Sequence, residues 1–192
     1  MSWDVVDVEN SDSHPSNRSL HSAAQHKQSM YIFGGYDGNY RVNDFYEFHF
    51  PTKRWINLRP NEPGSAPSPR DRHTAVVYNN SLYVFGGFDG SSKKNDFHGY
   101  NFETKSWSSV PVAAGFPPSA RHSHCAVVYE NSMFIFGGYD SCYKNDLIEY
   151  NFVTETWSSV SCRGRVPRAR YRATCVVHED NMIMFGGHDG TR

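Results

Sequence analysis

Arg70-Asp71-Arg72-His73-Thr74-Ala75-Val76-Val77-Tyr78-Asn79-Asn80-Ser81-Leu82-Tyr83-Val84-Phe85-Gly86-Gly87 is the stretch that decides the fold. His73 to Tyr78 is short, apolar and β-branched, as a strand requires. Asn79-Asn80-Ser81 is turn chemistry. Leu82 to Phe85 reads as a second strand, stopped by Gly86-Gly87. Beyond it, Phe88 to Lys94 reads as a polar loop and Asp96 to Phe102 as a third strand. Glu103 to Ser106 turns, and Trp107 to Val110 is a fourth strand.

The same text is written several times. Phe-Gly-Gly recurs with first glycines at Gly34, Gly86, Gly137 and Gly186, and second glycines at Gly35, Gly87, Gly138 and Gly187. Sixteen residues before each first glycine stands Arg18, Arg70, Arg121 or Arg170. Three residues after the arginine come His21, His73 and His124, with Ala173 in the fourth copy. Asn-Asp pairs follow at Asp44, Asp96 and Asp146, and the four tryptophans, Trp3, Trp55, Trp107 and Trp157, fall in register. Four short antiparallel strands per copy of about 50 residues is the pattern of a propeller blade. A blade cannot cover both faces alone, so successive copies must stack, with rings such as Tyr100 and Trp107 filling the space between them. The paired glycines suit close blade packing or positive φ. The arginines suit bonds to loop carbonyls or to the Asp96-type carboxylates.

Composition agrees. The 192 residues hold 15 Gly, 4 Trp, 12 Tyr and 13 Phe against four Leu, which argues against a helical bundle. Lys+Arg of 19 and Asp+Glu of 20 remove the electrostatic case for nucleic acid. No run of 18 apolar residues suggests a membrane span, and the start lacks a secretory pattern. Cys125, Cys142, Cys162 and Cys175 form no C-x-x-C pair. The expectation is a reduced protein of the cytoplasm or nucleus.

These markers resemble the kelch repeat, and the resemblance runs from Trp3 to the end. The Arg-x-x-His start and the Asn-Asp loop are most similar to kelch–BTB adaptors of the leucine-zipper-like regulator kind. The expected fold is all-β: a partial kelch propeller of three complete four-stranded blades, a lone N-terminal outer strand and a C-terminal half blade. Its expected divisions are an outer strand and linker over 1–17, blades over 18–69, 70–120 and 121–169, and a half blade over 170–192. The outer strand is placed at Trp3 to Val8. The ring is not expected to close within these residues, so the isolated chain is expected to aggregate.

The resemblance implies a partner-binding face built from loops. The residues placed on it are Tyr36, Asn39, Arg41, Asp71, Arg72, Phe88, Lys93, His122, Tyr139, Tyr143, Tyr171, Arg172 and His188. They vary while the framework repeats, as recognition surfaces do, although unconstrained loop tips vary too. Cys162 to Arg172 holds five arginines and no acid, which reads as an acidic-partner grip or a solvated loop. His21, His73 and His124 repeat one position, so structural hydrogen bonding is a simpler account than zinc. Cys125 and Cys175 read as small buried residues, and Cys142 and Cys162 as loop residues.

The expected function is a noncatalytic scaffold or adaptor without cofactor, bound to a protein partner. By resemblance, a longer product would recruit substrates to a cullin-type ubiquitin ligase. The alternative is a kelch-type metal enzyme, galactose-oxidase-like or nitrile-directing, with its site in further blades. The Glu-x-x-x-Asp-x-x-x-His run of the nitrile-directing kind does not occur here.

Overall fold

The computed structural model describes residues 1–9, 13–59 and 65–191. Fourteen strands among them form three four-stranded antiparallel sheets and one two-stranded sheet. The first blade is β1 (Ser22–His26), β2 (Ser29–Tyr36), β3 (Arg41–His49) and β4 (Arg54–Asn57). The second is β5 (Thr74–Tyr78), β6 (Ser81–Phe88), β7 (Lys93–Asn101) and β8 (Ser106–Ser109). The third is β9 (Cys125–Tyr129), β10 (Ser132–Phe136), β11 (Leu147–Asn151) and β12 (Thr156–Ser159). β13 (Tyr171–His178) and β14 (Asn181–His188) make the half blade. In each complete blade the strands lie in sequence order, and the first strands β1, β5, β9 and β13 are successive neighbours.

Three readings are corrected. Gly86-Gly87 does not stop the second strand: β6 runs on to Phe88, with a register shift between Phe85 and Gly87, and Phe88 pairs with Lys93. The loop is therefore a tight hairpin, and the third strand starts at Lys93, earlier than Asp96. The glycines make a bulge that a side chain would block. A Cβ on Gly86, at φ 65°, would sit 2.9 Å from the Arg121 carbonyl of the next blade. A Cβ on Gly87, at φ 101°, would sit 2.8 Å from the Asp71 carbonyl. Close approach and positive φ thus act together.

The third correction concerns the N-terminus. Residues Trp3 to Val8 form no strand, and Trp3 is fully exposed (103%). A fourth strand needs a third strand to pair with, as Trp107 pairs with Tyr100, and among the described residues none lies beside Trp3 to Val8. The later tryptophans become the core as blades stack. Trp55 is half-buried, while Trp107 and Trp157, each facing a preceding blade, are 5% and 4% exposed. Residues 10–12 of the expected linker and 60–64 of the first unit lie outside the described residues.

Strand alternation builds the two interfaces. Leu82, Val84, Tyr100 and Trp107 pack on Tyr31, Phe33 and Phe45 of the first blade. Phe85 and Phe97, alternating to the other face, meet Met133, Ile135, Tyr150 and Trp157 of the third. Trp107 lies 5.1 Å from Phe33, and Trp157 lies 5.4 Å from Phe85, ring centre to ring centre.

Histidines stitch the same interfaces. His73 Nε2 is 2.7 Å from Ser22 Oγ, and His124 Nε2 is 2.8 Å from Thr74 Oγ1. Burial first, then Arg70 beside His73 and Arg121 beside His124, pushes both pKa values down to about 3, so the rings are neutral. At the third interface both partners change together. Cys125 stands where Ser22 and Thr74 stand, and Ala173 where the histidines stand. At this interface small side chains stand in place of the polar stitch.

Candidate protein-binding face

Each blade's loop end is held by one arginine. Arg70 is fully buried and all five of its N–H donors are used. Nη1 donates to Asp96 Oδ1 (2.6 Å) and the Gly86 carbonyl (3.0 Å). Nη2 donates to Asp96 Oδ2 (2.7 Å) and Ser68 Oγ (3.0 Å), and Nε to the Ser68 carbonyl (3.0 Å). Burial would push the Asp96 carboxyl up, but hydrogen bonds from Arg70 and His98 hold it well below the usual carboxylate range. Arg18 with Asp44 and Arg121 with Asp146 repeat the fork. Arg170 keeps only its bonds to the carbonyls of Arg168 (3.1 Å) and Gly186 (2.8 Å) among those resolved. Sequence reading missed Ser16, Ser68 and Ser119, although a serine two residues before the arginine was a visible signal.

The arginine backbone also joins blades. Gly35 N–H donates to the Arg70 carbonyl, Gly87 N–H to that of Arg121, and Gly138 N–H to that of Arg170, all at 2.8–2.9 Å. Two residues on, a second belt runs between blades. Arg72 N–H donates to the Leu20 carbonyl, Ser123 N–H to that of Arg72, and Arg172 N–H to that of Ser123. All four residues have φ of 56–59°, a left-handed conformation uncommon outside glycine. Leu, Arg, Ser and Arg share no chemistry, so nothing in the letters announced this belt.

On this frame the sequence-selected residues mostly meet. Arg41 lies over the rings of Phe88 (4.8 Å) and Tyr36 (5.8 Å), and Arg72 over Phe88 (6.0 Å). Phe88 faces His122 at 6.0 Å, and His122 faces Tyr139 at 5.6 Å. Tyr139 contacts Tyr143 and Tyr171, and Tyr171 contacts His188 at 5.8 Å. Lys93 reaches over Tyr139 (5.8 Å) and donates to Ser141 Oγ (3.1 Å), while Arg172 covers Tyr171 (5.0 Å). The result is one aromatic band crossing four blades. Burial first, then Arg72, Lys93 and Arg172, lowers the His122 pKa to about 4, so its ring is a neutral hydrogen-bonding group among cations.

Two selected residues do other things. Asp71 is 1% exposed and grips Arg41 at 3.0 Å, so it supports the band from beneath and is corrected from a contact residue. Asn39 sits in the turn where its own N–H donates to Asp37, apart from the ring contacts. The arginine-rich segment borders a cavity of about 430 Å³ lined by Arg165, Arg168, Arg170 and Asp189, with Arg168 3.7 Å from Asp189. Among the described residues no group of three or more His, Cys, Asp or Glu side chains is placed to hold a metal ion. Cys125 is buried with Sγ toward the Phe136 carbonyl (3.7 Å), Cys175 is half-buried, and Cys142 and Cys162 are exposed.

The sequence matches the family described as the KLHDC2/KLHL20/DRC7 Kelch-repeats domain over residues 1–187. The chain belongs to the kelch-repeat family. Among its kelch relatives, the leucine-zipper-like transcriptional regulator 1 homolog of Drosophila melanogaster is 36% identical over 130 residues, 64% of this chain and 13% of that protein. Kelch domain-containing protein 10 of Xenopus laevis is 38% identical over 120 residues, 58% of this chain and 28% of that protein. The Rho GTPase-activating protein gacHH of Dictyostelium discoideum is 32% identical over 134 residues, 66% of this chain and 9% of that protein. The kelch chain therefore spans less than a third of the length of each of these relatives.

Proposed function

We propose that this chain is a noncatalytic protein-binding module whose partner sits on the aromatic band. The observation that carries this is the unbroken ring contact from Phe88 through His122, Tyr139 and Tyr171 to His188. Aromatic rings with adjacent guanidinium groups are the side chains that anchor protein interfaces. Asp71 is shared between Arg41 (3.0 Å) and Arg72 (3.7 Å), so one carboxylate faces two guanidinium groups, and Arg72, Lys93 and Arg172 raise the potential at His122, which favours a partner segment carrying carboxylates. Within a longer polypeptide such a module serves as the substrate-recognition part of an adaptor for a cullin-type ubiquitin ligase, in the cytoplasm or nucleus. The adaptor reading draws its support from kelch membership and from the likeness to the leucine-zipper-like regulators.

The test is quantitative co-purification with the full-length product, comparing the parent with a Tyr36→Ala, Phe88→Ala, Tyr139→Ala variant. Specific partners should fall at least about tenfold, the loss expected for removing anchors worth ~2 kcal/mol together. Unchanged recovery with an unchanged melting curve removes the band from the interface.

A further inference from the structure

The first two blades border an open cleft on the side away from the aromatic band's hairpins, among the turns that join first strands to second. It has a volume of about 790 Å³ and is lined by His26, Tyr31 and Glu47 of the first blade and Asn80, Phe102 and Glu103 of the second. That is the size of a small-molecule or side-chain site.

The repeat explains why the space exists. At the next interface the position of His26 is Tyr78, which stacks on Phe152 at 4.2 Å and 5° and donates its hydroxyl to Asn131 Oδ1 (2.9 Å). At the one after, Tyr129 donates to Asp180 Oδ1 (2.6 Å). His26 stacks on Phe102 in the same way, at 4.2 Å and 8°. Its ring is too short to reach across, and its buried Nε2 meets no hydrogen-bond partner. Two carboxylates stand at this interface beside the lost tyrosine bridge. Glu47 is a framework position, repeated in the third blade as Glu149, where Ser132 donates at the same 2.6 Å as Ser29 does to Glu47, and replaced by Gly99 in the second. Glu103 is the departure, standing where the third blade has Val153.

The lining carries two carboxylates, Glu47 and Glu103, against one ammonium group, Lys27. Ser29 Oγ donates to Glu47 Oε1 at 2.6 Å. Burial first, then the Glu47 charge, pushes the Tyr31 pKa up to about 12. Lys27, exposed on the turn beside the cleft, is the fixed cation among the lining residues.

We propose that this cleft binds an organic cation, a primary ammonium or guanidinium group, between Glu47 and Glu103 with Tyr31 and Phe102 as its aromatic walls. Carboxylates supply the counter-charge, and ring faces attract a desolvated cation. This site is independent of the protein-binding band. The cation comes from a free polyamine or from a basic side chain of a partner, and the two sources separate experimentally.

Calorimetric titration of the chain uses spermidine, the blocked peptides acetyl-Gly-Lys-Gly-amide and acetyl-Gly-Arg-Gly-amide, and the acidic counterpart acetyl-Gly-Glu-Gly-amide. One-to-one binding of spermidine alone indicates a polyamine, and binding of a basic peptide indicates a side chain. Binding should weaken at least about tenfold in the Glu47→Gln, Glu103→Gln variant, about 1.4 kcal/mol. His26→Tyr, which restores the bridge to Asn80 and fills the space, should weaken it likewise while the melting temperature holds or rises. No binding of any cation up to millimolar concentration overturns the proposal. So does equal binding of the acidic peptide, or undiminished binding by both variants.

Discussion

Arg70 and Arg170 occupy one repeat position with different surroundings. Arg70 spends five donors on a carboxylate, a hydroxyl and two carbonyls, whereas Arg170 has two carbonyls among the resolved bonds. Lysine preserves the charge but not the planar fork. Arg70→Lys should therefore cost about 3 kcal/mol, the range for breaking a buried pair. Arg170→Lys should cost under about 1 kcal/mol, as exposed pairs do. Urea midpoints with unchanged slopes check the contrast, and equal losses would mean the fork is not what stabilises. The arginine and its aspartate were both legible from spacing, because each repeats. Which acceptors the guanidinium selected was not, since carbonyls carry no letter.

Between elements, the histidine stitch makes the interfaces pH-sensitive. His73 and His124 have pKa values near 3 when folded against 6.5 ordinarily. As pH falls below 6.5 the unfolded chain takes up protons that the folded rings refuse. Their contribution is intact above that pH and is lost progressively toward pH 3. The Asp96 carboxylate, also lowered, adds to the loss below its ordinary 3.8. Denaturant midpoints measured from pH 7.5 to 4 should fall, and His73→Asn should flatten the slope between pH 6.5 and 4.5. An unchanged slope would remove the buried neutral histidine from the account.

Glycine at the bulge gives a second test between elements. Gly86→Ala meets both left-handed strain and the Arg121 carbonyl at 2.9 Å. Gly186→Ala, at φ 72°, meets nothing within 4 Å. The first should cost about 2–3 kcal/mol and the second about 1, the difference measuring blade contact. Phe-Gly-Gly announced itself in the sequence as a marker. Its continuation of β6 as a bulged hairpin did not, because glycine alone signals a stop and a bulge equally.

At the scale of the molecule, β14 lacks a third-strand neighbour among the described residues, and Phe185 on it is 81% exposed. Ile183 and Val176 are exposed beside it. An unpaired edge with apolar side chains templates association. This 192-residue chain should self-associate with concentration in sedimentation velocity, and Ile183→Lys with Phe185→Lys should reduce it. A concentration-independent monomer for the parent would contradict that expectation.

Periodicity is local, so the sequence alone determined the blades, their order and the aromatic core: a two-residue alternation between glycine turns admits few other sheets. The resemblance to kelch repeats pointed to loop residues, most of which the structure brings into ring or cation contact. Contacts between blades join residues about 50 apart, and their outcome depends on reach. Only the tertiary structure decided that Asp71 is buried beneath Arg41, that Trp3 pairs with no strand among the described residues, and that His26 falls short of Asn80 and leaves a cleft.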